Sequence, residues 1–160
     1  MKQLSLVERG AAYVVVQAIL IGLILFGPQG SSLLPQWSIS VGPYLRLLGM
    51  AIGSLGLVLS IFAAFNLGKN LTPLPCPKDD AQLVRTGLYR FVRHPIYFGV
   101  LMVALGWLLM YPYVLILVYV VALLIFFDLK TRREEVWLLE RFPDYLNYKS
   151  SVKKLIPWVY

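Results

Sequence analysis

One histidine, three arginines and two tyrosines crowd into residues 83–99, LVRTGLYRFVRHPIYFG, and that histidine, His94, is the only one in the chain. Pro95 biases the residue before it away from helical angles and itself suits the first position of a helix, which makes His94 a candidate N-cap. The free N–H groups and the positive dipole end of such a helix start attract an anion, for instance a carboxylate, and Arg93 adds a fixed positive charge. A second group stands at Lys130, Glu134 and Glu135. Lys130 and Glu134 are four apart and share a helix face, whereas Glu135 is turned away by about 100°. Plainer readings stay open at this level: a capped helix entry, a basic juxtamembrane anchor and a surface ion pair.

The elements that would position these groups are apolar. Of 160 residues, 59% are hydrophobic and only 14% charged, with mean hydropathy +0.71, against roughly 25% charged in soluble domains, so the chain reads as a membrane protein. Its length fits a single domain over residues 1–160, in which residues 1–67 supply two membrane helices and residues 68–160 a catalytic core. Residues 10–26 form a first span, retained because no small-x-small cleavage pattern follows it, and residues 47–67 a second. Gly49 and Gly53 give the second span a small-residue face for close helix approach. The uncharged connection at 28–43, with Trp37 and Tyr44 as interfacial aromatics, reads as an exterior loop.

Residues 96–127 contain no charge; as one helix they would run about 48 Å, well beyond a hydrocarbon core of about 30 Å. Tyr111-Pro112-Tyr113 at the midpoint predicts a hairpin of two helices, four membrane helices in all. Residues 1–10, 67–95 and 128–160 then hold 2, 5 and 7 of the 15 Lys and Arg, leaving Arg46 alone near the other face. Both termini are expected in the cytoplasm, in a multi-pass protein of the plasma (inner) membrane. The 26 residues from 68 to 93 lack a helical or alternating period, and alternate prolines from Pro73 to Pro77 suggest a stiff extended strap. The fourth helix is expected to run on past Phe127 into water, Pro143 to open a short helix with Asp144 near its positive end, and Pro157 to end the ordered part.

Composition excludes several functions. With one cysteine, Cys76, and one histidine, no internal disulfide and no zinc site of thiolates and imidazoles can form, so no metal is expected. The net charge of +7 sits beside apolar spans rather than on a polar domain, which points to anionic membrane lipids and not to nucleic acid.

The run GLYRFVRHPIYFG, followed 37 residues after Tyr97 by EEVWLLERFPDYLNY and then by VKKLIP, resembles the membrane methyltransferases of the isoprenylcysteine carboxyl methyltransferase and phospholipid methyltransferase superfamily. The resemblance covers residues 66–157 and extends to compact prokaryotic-type members. It implies an all-α integral membrane enzyme of about four transmembrane helices. A cytoplasmic loop and short C-terminal helices would form its cofactor site, from which S-adenosylmethionine methylates a lipophilic or lipidated acceptor. By the same resemblance, the segment Ala81, Gln82, Leu83 and Val84 wraps the cofactor, largely through backbone. Tyr89, His94, Pro95, Ile96 and Tyr97 contact it, and Glu134 holds it. The family's substrate-side arginine falls on Lys130, Pro143 stands where many members have glycine, and Lys154 where compact members often have arginine.

The residue chemistry is compatible with that reading. Methyl transfer from a sulfonium is an in-line displacement that needs aligned partners and excluded water. Arg93, the helix start and Glu134 suit the carboxylate and ammonium of a methionine end, and tyrosine faces suit a sulfonium. A carboxylate acceptor, with a reference pKa near 4, needs no general base at neutral pH; a phospholipid amine would, with Glu134 or Glu135 as candidates. Rival readings are a membrane reductase using NADPH on a sterol or enone, and a non-enzymatic four-span subunit or transporter. The last predicts buried mid-membrane polar groups, for which only Gln17, Ser54 and Ser60 qualify.

Overall fold

A computed structural model describes residues 5–29 and 42–160. Five α-helices follow in order: α1 (Ala11–Phe26), α2 (Pro43–Leu67), α3 (Pro95–Met110), α4 (Val114–Arg141) and α5 (Tyr145–Ser151). Among the described residues there is no β-strand, only a single parallel bridge between Val92 and Lys153. The connection expected at 28–43 lies mostly outside the described residues, Trp37 included; Tyr44 is in the first turn of α2 and strongly exposed.

The uncharged block divides at residues 111–113, where Tyr111 and Tyr113 leave helical angles around Pro112. Two helices of 28 residues, Pro43–Asn70 and Val114–Arg141, are long and apolar enough to cross a membrane. α1 and α3 have 16 residues each, about 24 Å, less than the core of a typical bilayer. Leu57, Phe62 and Phe65 of α2 and Val118, Val121 and Ile125 of α4 point outward.

The most intimate packing joins α2 to α3 along glycines. A Cβ on Gly49 would lie 2.6 Å from the Gly106 carbonyl oxygen, and one on Gly56 2.5 Å from that of Gly99. The small face expected at Gly49 and Gly53 therefore extends to Gly56 and meets a matching face on α3, and the backbones approach as only glycine permits. Ser60 reinforces the contact by donating to the Ile96 carbonyl at 3.2 Å. On the other side α1 packs on α4, where Ile24, Ala104, Leu123, Phe127 and Leu155 form a core ringed by Leu20, Ile21 and Tyr97.

α4 continues without a break from the apolar block to Arg141, as its interleaved charges predict. Beyond it the structure departs from expectation in two places. Pro143 does not open α5: the Tyr145 N–H closes a turn onto the Phe142 carbonyl at 3.0 Å, and the helix starts at Tyr145. Asp144 makes no capping bond there and pairs instead with Arg85 at 3.3 Å. Nor does Pro157 end the ordered chain. The N–H groups of Leu155 and Ile156 each donate to the Tyr160 carbonyl at 2.7 Å, and the Tyr160 hydroxyl donates to Asp128 at 2.7 Å. The reason is local: buried Leu155 anchors the turn from below, and Asp128 and Lys154 hold its last side chain.

Candidate active site

Four segments that are remote in sequence converge at one end of the helices. The strap after α2 is fixed at several points: Lys78 donates to the Lys69 carbonyl at 2.8 Å, the Gln82 N–H to Asn70 at 2.9 Å, and the Leu88 N–H to Asn66 at 2.9 Å. Gly87, next to that last bond, has φ +62, and any side chain there would run into Asn66; the turn into residues 87–90 thus requires glycine. Arg9 pairs with Asp79 at 3.2 Å, and Arg141 donates to the Asp79 carbonyl. The C-terminal segment is tied to the start of α3 by Arg93 N–H to Lys153 carbonyl at 2.8 Å and His94 N–H to Lys154 carbonyl at 3.1 Å.

Between strap, α3, α4 and α5 lies a cavity of about 400 Å³, within the usual range for small-molecule sites. Ala81, Gln82, Leu83, Val84, Tyr89, Arg93, His94, Ile96, Tyr97, Lys130 and Glu134 all line it. Pro95 does not; it is buried as the first residue of α3. The stripe Lys130, Glu134, Leu138 faces the cavity, and Glu135 lies off it.

The two adjacent carboxylates are used differently. Glu135, with its side chain 4% exposed, takes Arg93 at 2.8 Å and Lys149 at 3.0 Å. Glu134 faces the cavity and accepts the Tyr97 hydroxyl. His94 sits between them, its Nδ1 3.4 Å from Glu134 and its Nε2 3.4 Å from Glu135. Burial alone would lower the His94 pKa, but the bonds to Glu134 and Glu135 outweigh it and raise the value above that of an ordinary histidine, favouring a ring that donates to both. His94 is at the N-cap, with non-helical φ −124 and ψ 63, yet its ring makes no capping bond because the carboxylates claim it. Tyr97 is stacked with His94 at 5.7 Å and with Phe127 at 4.5 Å.

Two cations behave otherwise than their residue types suggest. Arg93 does not stand free for an anion: besides Glu135 its guanidinium donates to the carbonyls of Lys149 at 3.0 Å and Val152. Lys130 is 1% exposed, and its ammonium donates to Gln17 of α1 at 2.7 Å and to the Pro73 carbonyl at 3.0 Å, 4.0 Å from Glu134 and over the Tyr97 ring. It fastens α1 and the strap to α4 while lining the cavity.

The sequence reading passed over Gln17, Asn70, Tyr145 and Tyr148 as site residues. Gln17 had a signal, being the one polar residue in an apolar helix and so in need of a partner. The two tyrosines, which line the cavity from α5, had none beyond following a turn.

Comparison with known proteins identifies the family. The family model for phospholipid methyltransferase matches residues 44–144. A protein-S-isoprenylcysteine O-methyltransferase of Saccharomyces cerevisiae is 38% identical over 85 residues, covering 51% of this chain and 35% of that protein. The proteins of the same name from Dictyostelium discoideum and Schizosaccharomyces pombe are 34% and 33% identical, each over 66% of this chain and 46% of their own length. A solved structure of a eukaryotic intramembrane Ras methyltransferase, isoprenylcysteine carboxyl methyltransferase, superposes with TM-score 0.68 at 26% identity over 98% of this chain and 55% of that one. The chain thus spans about half or less of the length of the proteins it matches. Since the family model covers most of it, the chain belongs to the phospholipid methyltransferase family, in one superfamily with the isoprenylcysteine carboxyl methyltransferases.

Proposed function

We propose that this chain is an integral membrane methyltransferase that moves a methyl group from S-adenosylmethionine to the carboxylate of a lipophilic or lipidated acceptor at the cytoplasmic membrane face. The observation that carries the reading is a cavity in which the motif residues of α3, the strap and Glu134 of α4 meet. The relatives named as isoprenylcysteine O-methyltransferases, with the solved structure of a carboxyl methyltransferase, favour a carboxylate over a phospholipid amine.

The residues present fit the cofactor. Glu134 is an anionic group fixed by Tyr97 and His94 and directed at the cavity, suited to an ammonium. Along the strap no intramolecular hydrogen bond engages the N–H of Leu83 or Val84 among the described residues, which leaves backbone groups for a nucleoside. When bound, the cofactor supplies an electrophilic methyl on a cationic sulfur. The protein's own part is to orient and to exclude water. Tyr97, held by stacking against His94 and Phe127, donates its hydroxyl to Glu134 and so fixes that carboxylate in the cavity wall. The strap, pinned by Lys130, Lys78 and Arg9, covers the cavity. With a carboxylate acceptor no side chain need take a proton.

The domain is read as a unit with four membrane helices, α1 and α3 crossing a locally thin or tilted region beside the two long helices. Both termini are cytoplasmic on this reading, because 14 of 15 basic residues then face inward. Reporter fusions inserted between residues 30 and 41 and after Lys78 should report opposite sides; the same side for both refutes the topology.

The functional test is calorimetry of the detergent-purified full chain with S-adenosylhomocysteine and, separately, NADPH, followed by methyl transfer to an S-prenylated cysteine and to phosphatidylethanolamine. Binding of S-adenosylhomocysteine alone and base-labile methyl ester on the prenylcysteine are expected. NADPH binding without S-adenosylhomocysteine binding would overturn the proposal, and methylation of the amine alone would overturn the carboxylate assignment.

A further inference from the structure

Tyr145, the first residue of α5, lines the cavity and is 1% exposed, yet its hydroxyl has no hydrogen-bond partner among the described residues. Neighbouring phenols are satisfied: Tyr97 donates to Glu134, and Tyr148, one turn along α5, donates to the Tyr89 carbonyl at 2.5 Å. A buried hydroxyl without a partner carries its full desolvation penalty; the Trp107 indole N–H is also unpaired among the described residues, but Tyr145 is the one of the two that lines the cavity, where a ligand can complete it. Burial, and after it the charge of Glu135, pushes the Tyr145 phenol well above its ordinary pKa, so at neutral pH it is a neutral O–H donor.

The surrounding charges indicate what it would donate to. Glu134 suits the ammonium of an amino acid, whose carboxylate is attached to the same carbon. Arg93, which lines the cavity, is neutralised by Glu135 and occupied by two carbonyls, and Lys149 of α5 is paired with the same Glu135. An anionic oxygen on that side of the cavity therefore meets a neutral donor rather than a free guanidinium. We propose that the Tyr145 hydroxyl donates a hydrogen bond to the carboxylate at the amino-acid end of the methyl donor, making Tyr145 a binding residue that anchors that end opposite Glu134. The inference rests on the S-adenosylmethionine reading above.

The test uses Tyr145→Phe in the full chain, which removes one oxygen and leaves the ring. S-adenosylhomocysteine and 5′-methylthioadenosine, which lacks the amino-acid end, are titrated by calorimetry, and melting is recorded without ligand. Affinity for S-adenosylhomocysteine should fall about three- to tenfold, affinity for methylthioadenosine should not change, and the ligand-free melting temperature should hold or rise because an unpaired buried hydroxyl has gone. Unchanged S-adenosylhomocysteine affinity overturns the proposal. So does an equal loss for both probes, which would put the hydroxyl on the nucleoside or, with lowered melting, mark a packing residue. If the unsubstituted protein binds neither probe, the donor reading itself fails, an outcome distinct from a silent Tyr145→Phe.

Discussion

Glu134→Gln and Glu135→Gln are the same chemical change at adjacent positions, and the structure separates their consequences. Glu135 is 3% exposed and compensates Arg93, whose side chain is 8% exposed, together with Lys149 and His94. Removing its charge leaves a buried guanidinium unpaired, a loss of about 3 to 5 kcal/mol when one partner of a buried pair is deleted. Two carbonyls still accept from Arg93, which places this case at the lower end, about 3 kcal/mol, or roughly 6 to 12 °C in melting temperature for a chain of this size. Glu134 faces the cavity and its buried partners have other bonds to keep: His94, 3.4 Å away, retains Glu135, and Lys130, 4.0 Å away, retains Gln17 and the Pro73 carbonyl. Glu134→Gln should melt within a few degrees of the unsubstituted protein. Its lost charge-assisted bond to an ammonium is worth about 1.5 to 3 kcal/mol, a fall of about ten- to a hundredfold in S-adenosylhomocysteine affinity. Thermal melting in detergent and calorimetry read the two effects independently. If Glu135→Gln instead abolished binding with unchanged melting while Glu134→Gln destabilised the fold, α4 would present its other face to the cavity and the site assignment would be wrong.

Lys130→Met, which keeps the length of the side chain but none of its donors, should release Pro73 and Gln17, raising protease sensitivity within residues 68–93 and weakening S-adenosylhomocysteine binding as well as acceptor use; an effect on the acceptor alone would restore Lys130 to the substrate side. Gly56→Val must push α2 from the Gly99 carbonyl and should destabilise by about 1 to 3 kcal/mol, whereas the same change at Gly22, which has open space, should not; equal melting of the two variants would refute the close α2 and α3 contact. The His94 pKa is raised above 6.5, so its contribution to stability is fully present below about pH 6.5 and is lost as pH rises through the folded value. The stability difference between the unsubstituted protein and His94→Gln should shrink as pH rises from about 6.5 through the folded value, and a difference that grows with pH would contradict the bonding of His94 to the two carboxylates.

The long apolar runs, the break at Pro112 and the four-residue spacing of Lys130 and Glu134 were legible in the sequence because each is a one-dimensional pattern: span length, a missing donor and helical period act within a few turns. Spacing also set Glu134 and Glu135 on separate faces. It could not say which partners those faces would meet. Arg93 reads as a free cation beside a helix start, and only the return of α5 and the Val92 to Lys153 bridge puts Glu135 and two carbonyls around it. For Lys130 the sequence gives a charge on the Glu134 face, and only the fold brings Gln17 of α1, 113 residues away, to its ammonium. The start of α5 at Tyr145 and the fold-back beyond Pro157 likewise depend on Arg85, Asp128 and Lys154, supplied from elsewhere in the chain. The sequence determines which residues carry charge and which way a helix turns them, while the partner that neutralises a buried charge is chosen by packing, because desolvation makes such a group bond to whatever donor or acceptor the fold brings within about 3 Å.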